Sequence, residues 1–276
     1  LRATDLPAII QKSAGGRLWD VTVRVRLLVA SALMLFLELA LIRWLGANVV
    51  HLAYFSNFVL MGSFLGIGLG FLRASAPGRA ARPTPLYSLV VLLGLVGFVS
   101  AYPVAVNRSS SQLIFFTSTT TSGPPIWLTL PAVFLAVAAV LAGPGEIVAS
   151  CFSQLDRLEA YRLDLVGSLL GITAFTVLAF AGAPPFVWFT IVSIGFIALL
   201  GRAASSVSVT LLIAMTLMFI YPLRHDTGVF WSPYYKVTTS AVDDGNGAIA
   251  WNIDVNGVPH QRLTSAKTRA VEEPWY

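Results

Sequence analysis

Seven apolar runs, each of about 15–24 residues, fill roughly half of this chain, and about 20 apolar residues is the length that a hydrocarbon core of about 30 Å demands. The runs lie at 27–45, 49–72, 86–106, 126–149, 163–181, 185–201 and 205–222. With 56% hydrophobic and only 11% charged residues in 276, the composition also departs from soluble domains, where charged residues make up about 25%. The expected fold class is an all-α polytopic membrane protein with about seven transmembrane helices and a small C-terminal antiparallel β-meander. Three regions follow: an interfacial segment at 1–26, interrupted at Gly15-Gly16, a helical domain at 27–222 and an extramembrane tail at 223–276.

The charge pattern gives orientation rather than a nucleic-acid surface. Lys and Arg number 18 against 13 Asp and Glu, for a net charge of +5, and most of the Arg stand in short loops between apolar runs. Basic residues cluster in the N-terminal segment, at Arg73, Arg79 and Arg82, at Arg157 and Arg162, and at Arg202. The alternate loops carry almost none. Because loops rich in Lys and Arg stay cytoplasmic, the N-terminus is expected inside and, after seven crossings, the tail outside. The expected location is the bacterial inner membrane, multi-pass, with the tail periplasmic. The Ser- and Thr-rich loop between 107 and 125 reads as a solvated connection. Trp44, Trp127, Trp188, Tyr221 and Trp231 fall near run ends, where amphipathic rings anchor to the interface.

Polar residues inside the runs mark candidate sites. Glu38 lies well within the first run, where a carboxyl costs about 2.5–3.5 kcal/mol unless it faces protein or water. Arg43 is about 140° around the helix from Glu38 and close enough to the end to snorkel, so Glu38 needs a partner from another helix. His51, Tyr54 and Asn57 recur every three residues on the next run and form the expected polar stripe facing it. The functional reading is an ion or substrate site; the competing reading is a polar cluster that fixes packing. Glu146 follows Gly143-Pro144-Gly145, which should break or kink the fourth helix, and a broken helix beside a carboxylate is a transporter geometry. Gly62, Gly66 and Gly70 form overlapping G-x-x-x-G repeats, and Asp164, Gly167 and Gly171 share a face, so both patterns point to close helix packing.

Soluble catalytic patterns are missing: no nucleophile elbow, no phosphate-cradling loop after a strand and no cluster with metal-ligand spacing. The single Cys151 excludes an internal disulfide. No catalytic residue, metal or cofactor is assigned to this chain. The expected partners are the lipid bilayer and other proteins, reached through helix faces and the tail; nucleic acid is not expected. In the tail, strand-like runs at 234–240, 248–255 and 260–263 surround an Asn256-Gly257 turn signal. A three-stranded meander is too small to stand alone and must pack on something.

Two membrane stretches and the tail resemble a known family. The first runs from Glu38 through Arg43, Gly46 and His51-Leu52-Ala53-Tyr54-Phe55-Ser56-Asn57-Phe58 into the glycine repeat; the second is Tyr161-Arg162-Leu163-Asp164-Leu165-Val166-Gly167-Ser168-Leu169-Leu170-Gly171. Both are similar to the membrane domain of bacterial membrane-bound spermidine synthase-like proteins. Ser232-Pro233-Tyr234-Tyr235-Lys236-Val237 and Val255-Asn256-Gly257-Val258-Pro259-His260-Gln261 resemble the β-hairpin region that precedes the aminopropyltransferase fold. The resemblance implies a membrane domain fused to an S-adenosyl-binding sheet, which would follow Tyr276; Leu1 at the start likewise reads as a cut from a longer chain. It marks Gln261, and Tyr235 in place of the more usual Gln, as vestigial amine-site positions. The expected role is therefore a non-catalytic accessory or scaffold subunit of a membrane complex. The alternatives are the membrane anchor of an aminopropyltransferase whose catalytic domain lies outside this chain, and a polyamine or cation transporter using Glu38, Glu146 and Asp164.

Overall fold

The computed structural model describes residues 6–75, 84–104, 106, 123–200, 213, 228–243 and 249–272, with side chains described from residue 22 onward except at Tyr54, Ser56, Thr84, Pro85 and Glu272. Among the described residues, seven helices precede the tail: α1 (Leu6–Asn48), α2 (Val50–Tyr54), α3 (Ser56–Ala74), α4 (Thr84–Ala101), α5 (Ile126–Phe152), α6 (Arg157–Phe180) and α7 (Pro185–Leu200). Four strands and one helix follow: β1 (Val229–Trp231), β2 (Lys236–Asp243), β3 (Ile249–Val255), β4 (Val258–Leu263) and α8 (Ala266–Glu272).

Among the described residues, four helical stretches are long and apolar enough to cross a membrane: Thr22–Asn48, Asn57–Ala74, Ile126–Phe152 and Arg157–Phe180. Leu86–Ala101 and Pro185–Leu200 are apolar but shorter, reaching about 24 Å at 1.5 Å per residue. The expected run at 205–222 lies outside the described residues, as does the loop at 107–122. Seven spans thus become four of full length and two short ones among the described residues. The α1 backbone is helical straight through Gly15-Gly16, where the sequence suggested a break.

The central element is α1, which packs against α5, α6 and α7, and its Leu27, Leu37, Leu41 and Leu45 are fully buried. Small residues set two of the closest crossings. On α3, a Cβ added at Gly62 would sit 3.1 Å from the Phe134 carbonyl oxygen, one at Gly66 2.8 Å from Ala138 Cα, and one at Gly70 2.7 Å from Glu146 N. All three neighbours belong to α5. On α6, a Cβ at Gly167 would lie 2.6 Å from the Leu28 carbonyl oxygen of α1, and one at Gly171 2.9 Å from the Ala32 carbonyl carbon. Backbones this close exchange dispersion contacts along their length, which drives association where lipid supplies no hydrophobic force.

Pro144 does not break α5, which runs unbroken from Ile126 to Phe152. Its ring removes one donor and crowds the carbonyl four residues back, and the neighbouring turn is held by α4. Ser88 Oγ accepts from Gly143 N–H at 3.1 Å and lies 3.3 Å from the Ala139 carbonyl, to which it donates. Those are the two groups that an i→i−4 helical bond would join, so a buried hydroxyl is spliced into the ladder where the proline loosens it.

The tail is a four-stranded antiparallel sheet in the order β1-β2-β3-β4, one strand more than the sequence suggested. Asn256 and Gly257 turn with φ of 50° and 76°, the positive values that a tight two-residue hairpin needs. The support it requires comes through β1, the Ser232-Pro233 segment after it, Lys236 of β2 and the Gly257 turn.

Candidate functional site

The most polar and most constrained region lies where the sheet meets the helix ends. Arg43, one turn before the end of α1, reaches into the tail. Its Nη1 donates to the Pro233 carbonyl at 2.6 Å, and Nη2 donates to the Ser232 carbonyl. The guanidinium carbon sits 4.9 Å from the centre of the Trp188 ring and 5.8 Å from that of Trp231. Trp188 is 0% exposed, and its ring meets Trp231 edge-on at 5.3 Å and Phe175 at 5.3 Å. Arg43 therefore does not snorkel to the headgroups. Its charge is taken up by tail carbonyls and by two aromatic faces, the partners a weakly hydrated planar cation prefers.

This packing also corrects the reading of the tryptophans. Trp44, Trp188 and Trp231 are buried in the helix–sheet junction; Trp127, at 73% exposure, is placed to anchor at an interface. Tyr221 lies outside the described residues. Trp188 and Trp231 flank one guanidinium and each other, and Trp44 meets the buried Phe189 ring edge-on at 5.7 Å.

A second polar contact stands beside the first. Lys236 Nζ donates to Asn48 Oδ1 at 3.0 Å, and Asn48 Nδ2 donates to the Trp44 carbonyl at 2.7 Å. The segment after α4 completes the joint. Val50 N–H donates to the Val104 carbonyl, Val104 N–H donates to the Asn48 carbonyl, and Val106 N–H donates to the Gly257 carbonyl. Between helix ends and sheet lies a cavity of about 460 Å³, lined among others by Trp44, Asn48, Ser100, Phe186, Trp231 and Lys236.

The acidic residues singled out from the sequence occupy three separate contacts. Glu38 is 4% exposed, and its neighbour is Ser63 of α3, also buried, whose hydroxyl donates to the Val59 carbonyl at 3.0 Å. Glu38 Oε1 has no hydrogen-bond partner. The expected stripe is not one helix face: the chain breaks at Phe55, with ψ of 49°, putting His51 on α2 and Asn57, exposed, on α3. The Tyr54 side chain lies outside the described residues. Asp164 on α6 accepts from Ser31 of α1 at 2.6 Å, beside the Gly167 and Gly171 crossing, and Arg24 pairs with Glu159 at 2.8 Å nearby. Glu146 is partly buried at the Gly70 crossing. On α1, Glu38 and Ser31 are two turns apart, about 10 Å along the axis, so Glu38 and Asp164 do not share a site.

In the tail, Gln261 pairs with Ile253, which pairs with Thr239, four residues beyond Tyr235. Two strands over and about 13 Å along the strand direction, Gln261 and Tyr235 are not gathered into one pocket. Both are exposed. Outside the candidate spans, His51 on α2 is partly buried, and burial pushes its imidazole below its ordinary value. Among the described residues, no group of three or more His, Cys, Asp or Glu could hold a metal.

The sequence reading missed Ser31, Ser63, Ser88, Asn48 and Lys236. A serine in an apolar helix is the legible signal for the first three, because a lone hydroxyl there either bonds its own backbone or reaches a neighbour. Nothing local distinguishes Asn48 or Lys236, which meet across 188 residues of chain. The architecture is that of a mostly helical protein with four helices suited to a membrane and a sheet clamped to their ends. Comparison with family models, with curated proteins and with solved structures gave no match.

Proposed function

We propose that this chain is a non-catalytic accessory or scaffold subunit, multi-pass in a bacterial inner membrane, that holds its β-sheet at the membrane face as a docking platform. Its N-terminus is cytoplasmic and its tail periplasmic, on the charge distribution of the loops. The observation that carries this reading is the Arg43 clamp: two carbonyl bonds and two ring faces commit a half-buried cation to fixing the sheet to α1. A sheet so fixed keeps one orientation to the bilayer, which a platform requires and a tethered tail lacks. Among the described residues β4 is the outer strand of the sheet, and an outer strand is where a partner's strand can add.

The test is gentle purification from the native membrane, followed by the mass of the particle. A stoichiometric assembly well above 29.6 kDa, lost when β4 is disrupted by proline, supports the reading. A solitary chain overturns it. The resemblance of the Asn256-Gly257 hairpin region to the segment before an aminopropyltransferase fold supports a second reading, a membrane anchor for such an enzyme. A natural polypeptide that continues past Tyr276 and makes spermidine from putrescine would establish that reading instead.

A further inference from the structure

The turn between β1 and β2 stands against the end of α6 and continues a surface that α6 already turns outward. Leu165, Leu169, Val177 and Phe180 are exposed apolar side chains along that helix. At 24 residues and 1.5 Å per residue, α6 is about 36 Å long, so when centred in a hydrocarbon core of about 30 Å it puts Phe180 at the headgroup boundary. The Tyr234 ring meets Phe180 edge-on with centroids 6.0 Å apart, and Tyr235 follows 6.3 Å from Tyr234. Both tyrosines are exposed, at 68% and 53%. Exposed Trp127 lies at this same end of the helices: α6 runs parallel to α1, α3 begins where α1 and α2 end, and α5 runs parallel to α3. Tyrosine and tryptophan, with an apolar ring and one polar atom, are the side chains that the headgroup layer favours.

The backbone of the turn is suited to the same place. A segment near hydrocarbon has to satisfy its peptide groups from within the protein, because water is scarce there. Ser232 N–H donates to the Tyr235 carbonyl at 2.9 Å, and Ser232 Oγ accepts from Tyr235 N–H at 2.9 Å. Pro233 has no N–H to satisfy, and the carbonyls of Ser232 and Pro233 accept from Arg43. These bonds also fix the shape of the turn. The two rings are therefore held outward in advance, and little further ordering is needed when they meet lipid.

We infer that the β1–β2 turn is a membrane anchor of the sheet: Tyr234 and Tyr235 enter the headgroup layer of the bilayer that α6 crosses, with their rings against the upper acyl carbons and their hydroxyls toward the phosphates. The anchor rests on the membrane location of α6 and gives the sheet a lipid surface as its partner. The full chain is made in native membranes with a photoreactive benzophenone amino acid in place of Tyr234, of Tyr235 or, as a reference on the exposed face of α6, of Leu169. After irradiation, intact-mass spectrometry reads what each position has captured. All three chains should gain the mass of one phospholipid. Two tyrosine positions keep the test decisive if replacement at Tyr234 disturbs its contact with Phe180. Lipid captured at Leu169 but protein, or nothing, captured at either tyrosine would overturn the anchor and leave the membrane location of α6 standing. A Leu169 position that captures no lipid would remove that location, and the anchor with it.

Discussion

Replacing Arg43 by Met keeps much of the aliphatic stem and removes the clamp. The loss has two parts. Each hydrogen bond from a charged donor is worth about 1.5–3 kcal/mol, and each ring contact about 0.5–1 kcal/mol where water is partly present. Met recovers some packing, and the released carbonyls of Ser232 and Pro233 regain water, so the net weakening of the sheet's attachment is about 2–4 kcal/mol. At 1.4 kcal/mol per decade, the opening equilibrium rises about 30- to 1,000-fold. Hydrogen exchange reads this directly at Ser232 N–H, bonded to the Tyr235 carbonyl, and at Thr239 N–H, bonded to the Gly228 carbonyl. Both amides lie in the β1–β2 region next to the clamp. Their protection should fall by that factor in Arg43→Met, and by about tenfold in Arg43→Lys, which keeps a charge but cannot bond two carbonyls with a planar fork. Amides of α1 serve as the control. Unchanged protection at Ser232 and Thr239, with α1 intact, would refute the view that this guanidinium fixes the sheet.

Gly66→Ala should lower thermal stability by about 1–3 kcal/mol because its Cβ meets the α5 backbone, whereas Gly68→Ala, with nothing within 4 Å, should be neutral or stabilise by up to about 1 kcal/mol. Calorimetry of the two variants in one detergent checks the pair. Ser88→Ala should cost about 1–2 kcal/mol, since Gly143 N–H and the Ala139 carbonyl lose the hydroxyl between them in a dry setting, and exchange at Gly143 should quicken. The lowered His51 value makes protonation costlier in the folded chain than in the unfolded one. Its contribution is therefore fully present above the ordinary 6.5 and is lost as pH falls below it; His51→Gln should flatten the dependence of unfolding temperature on pH in that range.

Helix positions were readable because apolar length is a local property. Residues 126–149 and 163–181 anticipated α5 and α6 to within a few residues at most ends. The breaks were harder to read. Pro144 looked like a helix breaker because its own turn loses a bond, but the repair comes from Ser88, more than fifty residues away, which no window contains. Conversely, 49–72 looked continuous, yet the chain turns at Phe55, where the parallel pairing of Val49 with Val104 fixes the preceding residues. The glycine patterns signalled close approach on their own, since three small residues at spacing four leave a groove whatever fills it. Arg43 could not be read locally: near a run end, snorkelling and pairing leave the same trace, and the deciding carbonyls are 190 residues later.

That separation orders the birth of the protein. At about 5–20 residues per second, a ribosome adds Pro233 roughly 10–40 seconds after it adds Arg43. Through that interval the guanidinium lacks the Ser232 and Pro233 carbonyls that later accept from it. A chain that stalls before Ser232 thus presents a guanidinium without its carbonyl partners, a mark that separates it from a chain whose sheet has docked.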